Sequence, residues 1–101
     1  MYASVRMGKT KPGIAKEIGQ QVGDGFIPIV SQMAGFVGYF VVDLGGDRLM
    51  TISLFEDGTG TRESITAAQQ WIQKNAADTM AGPLEILEGR VIAYKLVNRS
   101  N

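Results

Sequence analysis

The stretch from Ala34 to Asp57, AGFVGYFVVDLGGDRLMTISLFED, constrains the fold more than any other part of the chain. It contains two apolar segments that are joined at Leu44-Gly45-Gly46-Asp47. Paired glycines supply the positive φ angles that a tight hairpin turn needs. The stretch therefore predicts a β-hairpin, with strands over 36–43 and 48–56, at the centre of the fold.

The two strands of this hairpin differ in pattern. The return strand alternates, with Met50, Ile52 and Leu54 on one face and Leu49, Thr51, Ser53 and Phe55 on the other. The first strand is apolar on both faces, which is typical of a strand that is buried on both sides. Either Phe36 and Phe40 or Tyr39 and Val41 share a face with Leu49 and Phe55, and the pattern leaves both arrangements open.

The segment before the hairpin begins with a strand and continues as a helix. Residues Tyr2 to Lys9 alternate, with Ala3, Val5 and Met7 on one face and Tyr2, Ser4, Arg6 and Gly8 on the other. Apolar residues then recur at helical spacing over 14–33. Pro28 interrupts this helix, and Gly23 and Gly25 weaken it. The pattern predicts either one kinked helix or two short helices that meet near Gly25.

A second helix and a last strand follow the hairpin. The helix is expected to begin at a Thr59 or Thr61 cap and to run to about Asp78. Its apolar stripe comprises Ile65, Ala68, Ile72 and Ala76, and Trp71 lies beside it. The last strand is predicted over Leu84 to Val97, with a bulge at Glu88-Gly89. Residues 98–101 form a polar tail.

The element order β-α-β-β-α-β predicts an α+β fold of the ferredoxin-like type, with an antiparallel sheet. We expect one domain over residues 1–97. Both helices can cover one face of the sheet, which leaves the other face bare. We expect that bare face to carry Tyr2, Leu49 and Phe55, and to be covered by a second copy of the chain in a homodimer.

Several functional classes are excluded by residues that the chain lacks. It has no cysteine and no histidine, so thiolate chemistry, a Ser-His triad and His or Cys metal ligation are excluded. Ten basic residues balance ten acidic ones, which argues against a nucleic-acid partner. Arg6, Lys9 and Lys11 stand where a signal peptide would be apolar, and polar residues and Pro28 interrupt the uncharged stretch 25–42. We therefore expect a cytoplasmic protein without a membrane partner or a metal.

The mixed faces of two strands predict a small-molecule site, because they bring Ser4, Arg6, Thr51 and Ser53 among apolar neighbours. Polar groups in an apolar hollow are typical of such sites. Alternatively, these residues are solvated or hydrogen-bonded at a dimer seam. Arg6 has two interpretations as well: it stabilises a developing negative charge, or it is a surface arginine paired with a carboxylate.

The aromatic residues add candidates to this site. Trp71 either stacks on a flat aromatic ligand or fills the core between helix and sheet. Asn75 lies one helical turn further on and can reach the same region. Tyr39 and Tyr94 lie on predicted strands, where each can donate a hydrogen bond to a substrate oxygen or simply pack.

Three segments resemble the antibiotic biosynthesis monooxygenase-like family of dimeric α/β barrels. They are MAGFVGY at 33–39, ISLFED at 52–57 and AAQQWI at 67–72. The resemblance extends from Tyr2 to about Val97. It implies a ferredoxin-like protomer, a homodimer whose sheet faces form a barrel, and a pocket between helices and sheet.

The resemblance also implies a function. Members of the family that form quinones oxidise aromatic polyketides or quinols with dioxygen and without a cofactor, and Trp71 is similar to their pocket tryptophan. The implied roles are a stacking platform for Trp71, charge stabilisation for Arg6, and hydrogen bonding for Tyr39 or Asn75. Two hypotheses follow: a cofactor-independent monooxygenase acting on an aromatic or quinol substrate, or a non-catalytic binding or stress-related domain of the same fold.

Overall fold

The computed structural model describes residues 1–97, and the predicted polar tail at 98–101 lies outside the described residues. Four strands are present: β1 (Tyr2–Lys9), β2 (Phe36–Gly45), β3 (Arg48–Phe55) and β4 (Glu85–Arg90). Helices α1 (Ala15–Gln21) and α2 (Ile27–Val30) are joined by a π-helical segment, Val22–Phe26. Helix α3 (Gly58–Asn75) is followed by a 3₁₀ turn, Ala77–Thr79.

The four strands form one antiparallel sheet in the order β2-β3-β1-β4. The helices pack on the same face of this sheet, where they enclose the core around Phe26, Val30, Phe55 and Ala68. This arrangement confirms the predicted ferredoxin-like α+β fold.

The predicted hairpin turn is present between β2 and β3. Gly45, Gly46 and Asp47 have φ angles of 79°, 59° and 61°. Asp47 also fastens the loop after β1, because its carbonyl oxygen accepts from the Thr10 N–H at 2.8 Å and its Oδ1 accepts from the Gly13 N–H at 2.9 Å. The turn therefore closes the hairpin and holds the start of the first helical segment.

A bulge in β2 decides which of its side chains face the helices. The register against β3 shifts between Phe36 and Gly38, so the alternation of side chains changes there. Phe36 therefore packs edge-on against Phe55, with ring centroids 5.7 Å apart, while Tyr39 and Val41 also lie on the helix-covered face. Phe40 lies on the opposite face. Of the two arrangements that the sequence left open, the one with Tyr39 and Val41 beside Leu49 and Phe55 is realised, but on the helix-covered face, and the bulge brings Phe36 to that face as well.

The expectation that Tyr2, Leu49 and Phe55 lie on the bare face was wrong. Tyr2 and Phe55 are directly opposite each other in the β1–β3 ladder and share a face, and Phe55 is fully buried under the helices. Leu49 is buried against Ile18 of α1. The bare face instead carries Ile52 and the apolar residues on its side of the sheet: Ala3, Val5, Met7, Phe40, Val42, Met50, Leu54 and Leu87.

The first helical region is continuous, but it departs from α-helical geometry in the π-helical segment. This segment contains Gly25, near which the sequence predicted a kink or a break. The π-helical segment precedes Pro28, which occupies the first turn of α2. A proline is tolerated there because its missing N–H has no partner in a first turn. Ile18, Phe26 and Val30 are buried, as the apolar stripe predicts, but Ile29 is half exposed.

The start of α3 differs from the prediction. Its N-cap is Asp57 rather than Thr59 or Thr61, and the Asp57 carboxylate accepts from the N–H groups of Thr59 (2.9 Å) and Gly60 (3.1 Å). Gly60 lies so close to the core that a Cβ atom there would be 2.6 Å from the Phe55 ring. The helix therefore approaches the sheet through a glycine backbone.

The last strand is shorter than predicted, because β4 ends at Arg90. It pairs with β1 without a register shift, so the predicted bulge at Glu88-Gly89 was wrong. Val91 donates one more bond to the Met1 carbonyl at 2.9 Å, and no described strand lies beside residues 92–97. This segment is without regular secondary structure and exposes large apolar side chains, with Ile92 92% exposed.

Candidate functional site

A cavity lies between the helices and the covered face of the sheet, and it contains about 60 Å³ of free space. Its lining is apolar apart from Arg6, Tyr39, Thr51 and the indole of Trp71. The remaining lining residues are Gly8, Ile18, Val22, Phe26, Leu49, Ala68, Ile72, Ala76, Met80 and Leu84. An apolar hollow with a few convergent polar groups is the usual form of a small-molecule site.

Trp71 serves both the core and the cavity. Its ring is half-buried and packs at a tilt against Phe26, with centroids 6.1 Å apart. Gly25 of the π-helical segment allows this position, since a Cβ atom on Gly25 would lie 3.0 Å from Cζ2 of the indole. The glycine that weakens the helix in the sequence therefore makes room for the tryptophan.

Tyr39 lines the cavity from strand β2 of the sheet. Its ring meets Phe26 edge-on at 5.7 Å between centroids, and the Arg6 guanidinium lies 5.7 Å from the centre of the Tyr39 ring. Such a distance allows a cation–π interaction. Tyr39 therefore helps to hold Arg6 in the cavity.

Arg6 is the most unusual residue of the site, because it is a cation with only 5% of its surface exposed. Its Nε–H donates to Oγ1 of Thr51, the residue opposite it on β3, at 3.2 Å. Nη1 and Nη2 are buried and have no hydrogen-bond partner among the described residues. Burial lowers the pKa of Arg6 from its ordinary value, and the neighbouring Tyr39 acts in the opposite direction.

Ser4 and Ser53 lie next to this arginine but outside the cavity lining. They face each other in the β1–β3 ladder, one step along the same sheet face from Arg6 and Thr51. Both side chains are fully buried, and neither hydroxyl has a partner among the described residues. The four residues form a buried polar strip on the covered side of the sheet.

Two more predicted site residues, besides Ser4 and Ser53, lie outside the cavity lining. The Asn75 side chain is exposed and donates to the Trp71 carbonyl oxygen, one turn back on α3, at 3.0 Å. Tyr94 lies beyond the end of β4 and is largely exposed. The structure thus brings Arg6, Tyr39 and Thr51 together with Trp71, and leaves Asn75 and Tyr94 apart.

Part of the cavity wall has no clear signal in the sequence. Met80 and Leu84 come from the connection between α3 and β4, and their side chains lie over Gly8. A Cβ atom on Gly8 would be 2.5 Å from Leu84 Cδ2 and 2.8 Å from Met80 Cε. A weak signal that could have identified this contact is Gly8 itself, because a glycine within a strand often marks a close approach.

No cluster of three or more acidic residues that could hold a metal ion is present in the part of the chain that the structure describes. Within residues 1–97, no helix is both long enough and apolar enough to cross a membrane.

Comparison with solved structures establishes the fold. A Nitrosomonas europaea protein of unknown function, NE2512, matches with a TM-score of 0.79 and 21% identity over 96% of this chain and 94% of its own. An antibiotic biosynthesis monooxygenase candidate from the same organism matches with a TM-score of 0.76 and 13% identity, over 92% of this chain and 100% of its own. The Streptomyces coelicolor ActVA-Orf6 monooxygenase, solved with nanaomycin D, matches at 0.71 and 12%, over 96% and 92%.

Neither protein-family models nor curated proteins give a match to the sequence. The structural likeness covers nearly the full length of both chains in each comparison, while the identities are low. The chain therefore has the fold of the antibiotic biosynthesis monooxygenase-like proteins, as the three sequence segments implied.

Proposed function

We propose that this protein binds a small aromatic molecule in the cavity between its helices and its sheet. The observation that carries this proposal is a buried, partly unpaired arginine in a cavity whose other walls are aromatic and aliphatic. The flat faces of Trp71 and Tyr39 suit an aromatic ring, and Arg6 suits an electronegative oxygen on that ring.

The free space of about 60 Å³ is smaller than the volume that enclosed ligands generally need, roughly 300 Å³ or more. Binding therefore requires some side chains to move. Met80 and Leu84 are the best suited, because both belong to a connection outside the helices and strands and end in flexible groups. Their outward rotation would lengthen the cavity over Gly8.

The reaction that this site suits best is the cofactor-independent oxidation of an aromatic or quinol substrate by dioxygen. The reduced substrate supplies all the electrons: one oxygen atom enters the product and the other leaves as water. Arg6 would stabilise the negative charge on a substrate enolate or on superoxide. Because none of the described lining residues is a carboxylate, the substrate must ionise readily by itself. The known ligand of the Streptomyces coelicolor protein, nanaomycin D, supports an extended aromatic substrate.

A second function of the same fold is binding without turnover. It is favoured by the absence of a carboxylate base from the described lining, which leaves the substrate to ionise without a base from the protein. Oxygen consumption separates the two functions, since only the catalytic one consumes dioxygen when a quinol is added.

We further propose that the protein works as a homodimer whose bare sheet faces meet. Phe40 and Leu87 on that face are each about half exposed, and most of their neighbours on the face are apolar, although Glu85 lies beside Leu87. The exposed apolar side chains of residues 92–97 also lack a partner within the described chain. A second copy would cover both surfaces and supply strand partners for the extended segment.

The first test uses Trp71 as the only tryptophan of the chain. Titration with quinols, anthrones and naphthoquinones should quench its fluorescence in a saturable way, and oxygen uptake should be measured with each ligand that binds. Saturable quenching without oxygen uptake would leave the binding function and remove the oxygenase. Absence of quenching by all of them would refute the proposed site.

Two glycine variants test whether the ligand that quenches Trp71 binds in the cavity. Gly25→Ala should weaken binding, because its added Cβ would displace the indole, whereas Gly23→Ala has open space around its Cβ and serves as the matched control. Equal affinities in the two variants would mean that the ligand binds away from Trp71.

A further inference from the structure

We infer that the ligand of this cavity carries a carboxylate, whose two oxygens bind the Nη1 and Nη2 atoms of Arg6. This inference rests on the proposed binding function and narrows it from aromatic molecules in general to aromatic acids.

The guanidinium of Arg6 has one edge occupied and one edge free. Its Nε is held by Thr51 at 3.2 Å, and its position near the Tyr39 ring limits the tilt of its plane. The two Nη atoms are buried and have no partner within residues 1–97. A pair of parallel N–H groups on a planar guanidinium matches the two oxygens of a carboxylate, which accept two short, charge-assisted hydrogen bonds.

The charge of the cavity favours the same class of ligand. Arginine stays protonated in proteins, so the cavity holds a positive charge. No Asp or Glu is found among the described lining residues, and the nearby Tyr39 and Thr51 side chains carry no formal charge. A neutral ligand would leave this cation uncompensated in an apolar environment, whereas a monoanion would neutralise it.

The polar strip indicates how such a ligand would be oriented. Arg6 and Thr51 lie on the sheet, next to the buried hydroxyls of Ser4 and Ser53, whereas the helix side of the cavity is formed by Trp71 and aliphatic groups. The carboxylate would therefore face the sheet and the ring would lie under the helices. The ring would contact Trp71 in this orientation, so its binding is detectable at the indole.

The test compares two ligands of nearly the same shape that differ in charge. Naphthalene-2-carboxylate and naphthalene-2-carboxamide are titrated into the full protein by calorimetry, and the indole N–H resonance of Trp71 reports whether each enters the cavity. The carboxylate should bind the wild type roughly 10- to 100-fold more tightly, as expected for hydrogen bonds between charged groups. Arg6→Met should abolish this preference, and Arg6→Lys, which keeps the charge but not the fork, should retain part of it.

The outcomes separate this inference from the proposed function. Equal affinity of the two ligands for the wild type would overturn the carboxylate while the aromatic site stands. Failure of both ligands to shift the Trp71 resonance would overturn the carboxylate and the aromatic site together. Because the wild-type comparison needs no substitution, it decides the matter even if an Arg6 variant does not fold.

Discussion

Replacing Arg6 with methionine should make the unliganded protein more stable. Arg6 is almost fully buried, and two of its three guanidinium nitrogens have no partner among residues 1–97. Methionine keeps most of the length of the side chain and removes the charge, so the apolar walls of the cavity keep their contacts. The substitution should therefore raise stability while it removes the guanidinium that we propose binds the ligand.

The size of the stability gain in Arg6→Met follows from the interactions that Arg6 makes and from the hydrogen bonds that it lacks. Leaving a buried polar group unsatisfied costs about 1–3 kcal/mol, and more when it is charged, so the unpaired Nη1 and Nη2 together cost roughly 3–4 kcal/mol. The bond from Nε to Thr51 and the cation–π interaction with Tyr39 each return about 1 kcal/mol. The net gain for Arg6→Met is about 1–2 kcal/mol, which corresponds to a rise in Tm of roughly 4–16 °C for a domain of this size.

The difference in unfolding free energy between the wild type and Arg6→Met should not depend on pH. Burial lowers the pKa of Arg6, so the folded state holds this proton less tightly than the unfolded state. The resulting penalty is fully present below the lowered pKa and is relieved only as pH rises through it. Since arginine stays protonated between about pH 6 and pH 9, the gain in stability should be constant over that range.

Chemical and thermal denaturation, followed by circular dichroism, measure the effect. Arg48→Met provides the control, because Arg48 is exposed at the start of β3 and its replacement should change stability by less than about 0.5 kcal/mol. A destabilised Arg6→Met protein, beside an unchanged Arg48→Met protein, would show that the guanidinium is satisfied in the free protein. The carboxylate inference would then lose its physical basis.

Two other predictions test the packing and the assembly. Gly60→Ala should destabilise the fold by about 1–3 kcal/mol, because its Cβ would meet the Phe55 ring at 2.6 Å, whereas Gly23→Ala should be neutral or stabilising by up to about 1 kcal/mol in denaturant titrations. Equal effects of the two would contradict the close approach of α3 to the sheet. Phe40→Asp should convert the proposed dimer to a monomer in sedimentation velocity, and Ile29→Asp, at a site of equal 50% exposure on the helix side, should not. A dimer that survives Phe40→Asp would place the interface elsewhere.

Local chemistry made the order of elements predictable. The Gly45-Gly46 pair specifies a tight turn through its own backbone freedom, and the alternating residues of β1 and β3 identify strands by their period. Pro28 and Gly25 marked the region in which the first helix becomes irregular. These signals are contained in short windows of sequence, so they need no knowledge of the remaining chain.

The site was predictable in part. Arg6 and Thr51 were identified because polar residues among apolar neighbours on strands are conspicuous, and Trp71 because it is an aromatic residue beside the apolar stripe of a helix. The structure places all three around one cavity. Whether they bind a ligand stays a prediction. Asn75 and Tyr94 were included for their residue type and their place in the pattern, but Asn75 turns back to its own helix and Tyr94 lies beyond the paired part of β4.

The sequence by itself determined the elements, their order and the ferredoxin-like class, because turn chemistry and hydrophobic period act over a few neighbouring residues. Only the tertiary structure decided which sheet face the helices cover, since both faces of β3 are apolar and the energy of burying either is similar. The bulge in β2 then assigned Tyr39 to the cavity and Phe40 to the bare face. The unpaired state of Arg6 likewise depends on side chains far apart in the chain, and no local pattern records which of them meet.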